Sequence, residues 1–144
     1  MKLAIDASTM IEGGGLKYLS KLIENFLKND HSVEKLLIFV SNNFNHKKYD
    51  GLENIEFIEL PKKFFFGINV VLWKLFYMKS EILKNNYNIL FSLSGYNLSL
   101  FFPFVSIIHN QLPFEIDEIK RYGISLQSFK FLILRILLDF SIKR

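Results

Sequence analysis

Short runs of unbroken apolar residues alternate along this chain with longer segments whose apolar residues recur every three or four positions. Lys2 to Asp6, Lys35 to Ser41, Asn88 to Ser92 and Phe104 to Ile108 are runs of the first kind. Unbroken apolar runs of this length predict strands buried on both faces, as in a parallel sheet. Asn54 to Leu60 alternates apolar and polar residues instead. It predicts a half-exposed edge strand that Pro61 stops.

Helical spacing fills the intervals. Leu16, Leu19, Leu22, Ile23, Phe26 and Leu27 form one stripe, with Lys17, Lys21, Glu24 and Lys28 on the other face, and the pattern stops near Asn29-Asp30. That is a surface helix lying on a core. A second helix is predicted from Ile68 to Leu83, with Val71, Leu72, Leu75, Phe76 and Met78 inward and Lys74, Lys79 and Glu81 outward. Trp73 reads as packing. Glu115, Asp117 and Glu118 open a short acidic helix, where the dipole favours negative charge. Ser125 caps a last helix that is apolar around most of its girth. It reaches Arg144 with no Gly or Pro stop, so the chain reads as cut from a longer one. The order β-α-β-β-α-β-β-α predicts one domain, a three-layer α/β/α sandwich with a mostly parallel sheet.

Composition narrows the picture. The 144 residues are 50% hydrophobic and 16% aromatic, enough for a packed core rather than a disordered chain. Eighteen basic against 14 acidic residues leave a net charge of +4. This is too modest and too dispersed to suggest nucleic acid as a partner. Cysteine is absent, which excludes disulfides and thiolate zinc sites. No apolar run approaches the ~20 residues that span a bilayer, and the chain starts directly in a strand without a secretory pattern. The expected compartment is the cytoplasm.

The candidate chemistry gathers where strands end. Glu12-Gly13-Gly14-Gly15-Leu16 joins the first strand to the first helix. Glycines let backbone approach a ligand closely, and free N–H groups at a helix start suit an anion. The same residues also serve as a plain flexible turn. The spacing is not GxGxxG, and Ser41 rather than an acid ends the second strand; both argue against a dinucleotide oxidoreductase. Leu93-Ser94-Gly95-Tyr96-Asn97 follows another strand, and His109-Asn110-Gln111 leaves the next. A histidine there is either a site residue or a structural hydrogen-bonder. Lys62 to Phe66 mixes lysine with three phenylalanines, a composition that suits core packing or an interface.

Leu3-Ala4-Ile5-Asp6-Ala7-Ser8, the glycine run followed by Tyr18-Leu19, and Ile107-Ile108-His109-Asn110 before Leu112-Pro113-Phe114 together resemble the N-terminal domain of the retaining family-4 (group 1) glycosyltransferases of the GT-B fold. The resemblance covers the whole chain. It implies a Rossmann-like acceptor-side domain whose donor-binding C-terminal partner domain is missing. The implied reaction is metal-independent transfer of a sugar from a nucleotide-sugar to a glycan or lipid-linked acceptor with retained configuration; the nucleotide-sugar is a substrate and no cofactor is expected. Gly13, Gly14 and Gly15 would approach the donor diphosphate, and His109 would lie at the reaction centre. Ser94, Gly95, Tyr96 and Asn97 would line the acceptor side by topology, with Asn110 beside them. The family often has aspartate after the histidine, so Asn110 brings an amide where a carboxylate is usual. By itself the fragment is expected to be inactive. Its apolar last helix and the Lys62 to Phe66 loop suggest peripheral contact with the inner face of a membrane. The alternative is a non-catalytic α/β ligand-binding or regulatory domain.

Overall fold

The computed structural model describes residues 1–28, 32–61, 68–108 and 112–142. Five strands form one all-parallel sheet: β1 (Lys2–Ala7), β2 (Lys35–Ser41), β3 (Ile55–Leu60), β4 (Ile89–Ser92) and β5 (Phe104–Ser106), in the order β3-β2-β1-β4-β5. Register runs Leu3 to Leu36, Leu3 to Ile89, Leu36 to Ile55 and Leu90 to Phe104. The fold is a Rossmann-like α/β sandwich, as the alternation of runs predicts. β2 has the expected bounds, and Leu36 to Ser41 are all buried. β3 takes the edge position that its alternation implies. β5 is two residues shorter than the apolar run, and Val105 is exposed, because an edge strand has only one neighbour to hold its end.

Helices cover both faces. α1 (Gly14–Lys28) seats Leu19 and Ile23 against Ile5, Ile38 and Val40 on one face. The other face packs on a run of three helical segments: α2 (Ile68–Leu72), a π-helical segment (Trp73–Met78) and α3 (Lys79–Lys84). Trp73, Met78 and Ile82 lie there against Ala4, Leu37 and Phe39, and the Trp73 ring meets Phe39 edge-on at 5.8 Å. Trp73 is packing, as expected.

The facing of this helix differs from the periodic expectation. Val71, Leu72 and Phe76 are exposed, Leu75 is half-buried, and of the predicted inner set only Met78 is buried. Lys74, expected outside, is fully buried, while Lys79 and Glu81 are half-buried. The reason is the π segment, whose i→i+5 hydrogen bonding adds a residue to the turn. That shifts the phase of every residue around it.

Beyond β5, α4 (Ile116–Arg121) begins with the expected acids, and Asp117 and Glu118 pair with Lys120 and Arg121. α5 (Leu126–Ile142) is capped by Ser125, whose Oγ accepts the Ser128 N–H at 3.3 Å. It buries Phe131, Leu138 and Ser141 and leaves Phe129, Leu132 and Ile136 exposed. Among the described residues no helix is long and apolar enough to cross a membrane.

Candidate functional site at the carboxyl edge

All five strands point the same way, so their carboxyl ends share one edge, the usual place for ligands in open α/β sheets. β1 ends there in a buried charge. Asp6 is 1% exposed. Its Oδ1 accepts hydrogen bonds from the Ser8 hydroxyl at 2.7 Å and the Ser8 N–H at 3.2 Å. Its Oδ2 lies 2.6 Å from Nζ of Lys74, which the π segment turns inward. The same ammonium stands 5.6 Å from the centroid of the Tyr96 ring, within reach of a cation–π attraction. Pairing with hydrogen bonds on both carboxylate oxygens is what permits two charges to be buried.

The loop after β1 carries the glycines. Met10 N–H bonds back to the Ala7 carbonyl at 3.0 Å. The end of β2 then clamps the loop: Ser41 Oγ donates to the Met10 carbonyl, and Asn43 Nδ2 donates to the Ile11 carbonyl at 3.1 Å. So Ser41, where a dinucleotide fold would have an acid, holds the glycine loop in place. Gly13 has φ +71°, and a Cβ there or at Gly14 would meet nothing within 4 Å. Both are exposed. Gly15 differs, since its Cβ would lie 3.1 Å from Met10 Sδ; it is a packing glycine as well as a loop one.

The loop after β4 starts on the other side of β1. The Leu93 N–H bonds the Asp6 carbonyl at 3.0 Å, stitching the two strand ends together. Ser92 Oγ donates to the Tyr96 carbonyl at 3.2 Å and lies 3.0 Å from the Ser94 hydroxyl. Of the four residues expected on the acceptor side, Ser94 and Tyr96 keep open surface. Gly95 and Asn97 are buried and committed to the loop itself. Gly95 has φ +87° and packs under Leu138 of α5. Asn97 donates its N–H to Ser141 Oγ at 2.9 Å and its amide to the Phe101 carbonyl at 2.8 Å, and accepts from Ser99 Oγ at 2.7 Å. A cavity of about 120 Å³ lies between this loop and α5, reached by Ser94 and Tyr96 and walled by Leu134 and Leu138.

The structure therefore sets Gly13 and Gly14 on the same edge as Ser94 and Tyr96, after neighbouring strands. His109 and Asn110 lie outside the described residues, as does the Lys62 to Phe66 loop. Asp6 and Lys74 form the most buried polar pair at the edge, yet periodicity sends Lys74 outward. The signal that finds them is Asp6 itself. A carboxylate ending an apolar strand needs a cation, and Lys74 sits between Trp73 and Leu75 in an apolar helix.

Comparison with protein-family models, with curated proteins and with solved structures finds no match to this chain.

Proposed function

We propose that this chain is the acceptor-side N-terminal domain of a retaining glycosyltransferase that uses a nucleotide-sugar donor. The observation that carries the reading is the carboxyl edge, which the unobstructed backbone of Gly13 and Gly14 shares with Ser94 and Tyr96. A nucleoside diphosphate gains negative charge as it leaves. Fixed N–H groups with no Cβ above them can stabilise that charge. Ser94 and Tyr96 supply hydroxyls for a polar acceptor. His109 takes the reaction centre and Asn110 the acceptor side, following the resemblance of Ile107-Ile108-His109-Asn110 to that family. The donor's nucleotide belongs to a second α/β domain, so the chain by itself should not turn over.

The test is to read what the gene encodes beyond residue 144 and to assay the full product with a panel of nucleotide-sugars and glycan or lipid-linked acceptors. Sugar transfer that falls at least about a hundredfold in Gly14→Val supports the reading, a loss of about 3 kcal/mol in transition-state stabilisation. A product without a second α/β domain, or rapid transfer by the 144-residue chain alone, overturns it. Peripheral membrane contact belongs to the same reading: α5 exposes Phe129, Leu132 and Ile136 near Lys130 and Arg135, a mixture that suits an interface. Liposome flotation with anionic lipid at low salt checks it, and absence of binding removes it.

A non-catalytic ligand-binding domain is the second reading. One observation favours it: Asp6 and Lys74 pair with each other and are closed to solvent, so neither reaches a substrate. Tight nucleotide-sugar binding by a complete gene product that transfers nothing would select it.

A further inference from the structure

A groove of about 490 Å³ lies between α1 and the β2–β3 connection, within the size range of small-molecule sites. Its lining holds three lysines and a single carboxylate. Lys17 and Lys21 come from α1, Lys48 from the 3-10 turn Lys47–Tyr49, and the carboxylate is Glu24. Glu24 approaches Lys48 only to 3.9 Å. Among the described residues no carboxylate comes within ion-pair distance of Lys17 or Lys21.

Two features make this more than an ordinary wet surface. Lys17 and Lys21 are like charges at i,i+4, which weakens a helix. Lys17 also sits in the first turn of α1, which has no acid, where the dipole disfavours a cation. α4 shows the usual alternative, each of its basic residues paired with an acid three positions earlier. An anion from outside would relieve these cations on α1.

The groove is also built. Phe44, 5% exposed, and Leu16 form an apolar floor. Phe44 stacks on Tyr49 at 6.3 Å and 16°, and the Lys48 ammonium rests 4.6 Å from the Tyr49 ring centre. The Asn43 amide that holds the Ile11 carbonyl joins this wall to the glycine loop. Ser20 and Asn45 add neutral polar groups to the lining.

We propose that this groove binds a phosphorylated small molecule, its phosphate held among Lys17, Lys21 and Lys48 and its organic part on Leu16 and Phe44. Lysine ammonium groups bind phosphate as point charges, and three of them match a dianion better than a single carboxylate. The site stands on the groove alone. It uses none of the acceptor-side residues Ser94 and Tyr96, and so does not rest on the glycosyltransferase reading.

The experiment is a titration of the isotope-labelled chain, followed by amide NMR at low salt. One arm uses inorganic pyrophosphate and the other uses phosphatidylcholine vesicles carrying phosphatidic acid. Saturable shifts at Ser20, Lys21 and Asn45 with pyrophosphate assign a free phosphorylated ligand. The same shifts with vesicles alone assign a lipid headgroup. Lys17→Gln/Lys21→Gln/Lys48→Gln should weaken either binding at least about tenfold, and added salt should weaken it too. These lysines lie on the surface, so melting of the triple variant is checked alongside; if it falls, Lys21→Gln alone should still weaken binding about threefold. No shift with either probe, or unchanged binding in the variants, overturns the proposal. The sugar-transfer assay is read separately, so either idea can fail without the other.

Discussion

The two edges of the sheet are held in different ways. At the amino edge the bonds run from strand to neighbouring loop and close it. Lys2 N–H donates to Asn88 Oδ1 at 2.8 Å and its carbonyl accepts from Asn88 N–H at 2.9 Å; Lys2 Nζ reaches the Asn85 carbonyl, and Glu34 N–H reaches the Met1 carbonyl. Tyr87 is buried there, with the Lys2 ammonium 6.0 Å from its ring centre. At the carboxyl edge side chains tie the loops by their roots. Ser41, Asn43, Ser92 and the Asp6–Lys74 pair fix where the loops begin, and Gly13 and Gly14 stay uncovered. One edge secures the sheet, and the other leaves the backbone of Gly13 and Gly14 uncovered.

The largest effect should come from splitting the buried pair. Lys74→Ala leaves the Asp6 carboxylate buried without its cation, which should cost about 3–5 kcal/mol in urea unfolding. The double change Asp6→Leu/Lys74→Met should recover most of that loss, since a packed apolar pair often replaces an ionic one at little cost. A single variant as stable as the parent would mean that the carboxyl edge is not anchored by this charge.

The amino edge responds to alkali instead. Burial, helped by the Glu56 carboxylate, pushes the Tyr87 hydroxyl up to about 12 from its usual 10. A group whose folded pKa is raised leaves stability intact below the unfolded pKa and removes it as pH rises from 10 toward 12. The loss should reach about 2 kcal/mol by the upper limit. Tyr87→Phe should abolish this part of the pH dependence, as read by chemical unfolding across the interval. An identical alkaline slope in both proteins would place the strain elsewhere.

Two glycines sharpen the contrast within the carboxyl edge. Gly95 combines φ +87° with a Cβ position 3.2 Å from Leu138, so Gly95→Ala should cost about 1–2 kcal/mol and lower the melting temperature. Gly14 faces open space. Gly14→Val should stay within about 0.5 kcal/mol of the parent by the same melting assay, although a ligand over the loop would meet the new side chain. Equal losses at the two positions would erase the distinction between a packed loop and an offered one.

Most of the sheet was legible in the sequence because parallel strands buried on both faces leave no polar positions to confuse the pattern. Leu36 to Ser41 shows this most cleanly. The glycine loop was legible for a similar reason, since few residues besides glycine adopt the φ seen at Gly13. Lys74 was not. Helical periodicity assumes one constant turn, and the wider turn from Trp73 to Met78 breaks it. The packing of Asn97 and Gly95 was not legible either. Their partners, Ser141 and Leu138, lie more than forty residues onward, and no local pattern announces such a contact.

The position of β1 carries a consequence for how the protein is made. It precedes β2 to β5 along the chain, yet it lies in the centre of the sheet between β2 and β4. Leu3 needs Leu36 on one side and Ile89 on the other, so its second flank stays unpaired until β4 has emerged, long after β2. Non-local pairing of this kind slows folding, and an unpaired apolar strand invites association with other chains. A nascent chain halted before β4 therefore exposes the Leu3 to Ala7 flank, and chaperone capture of stalled chains should fall sharply once residue 92 has left the ribosome.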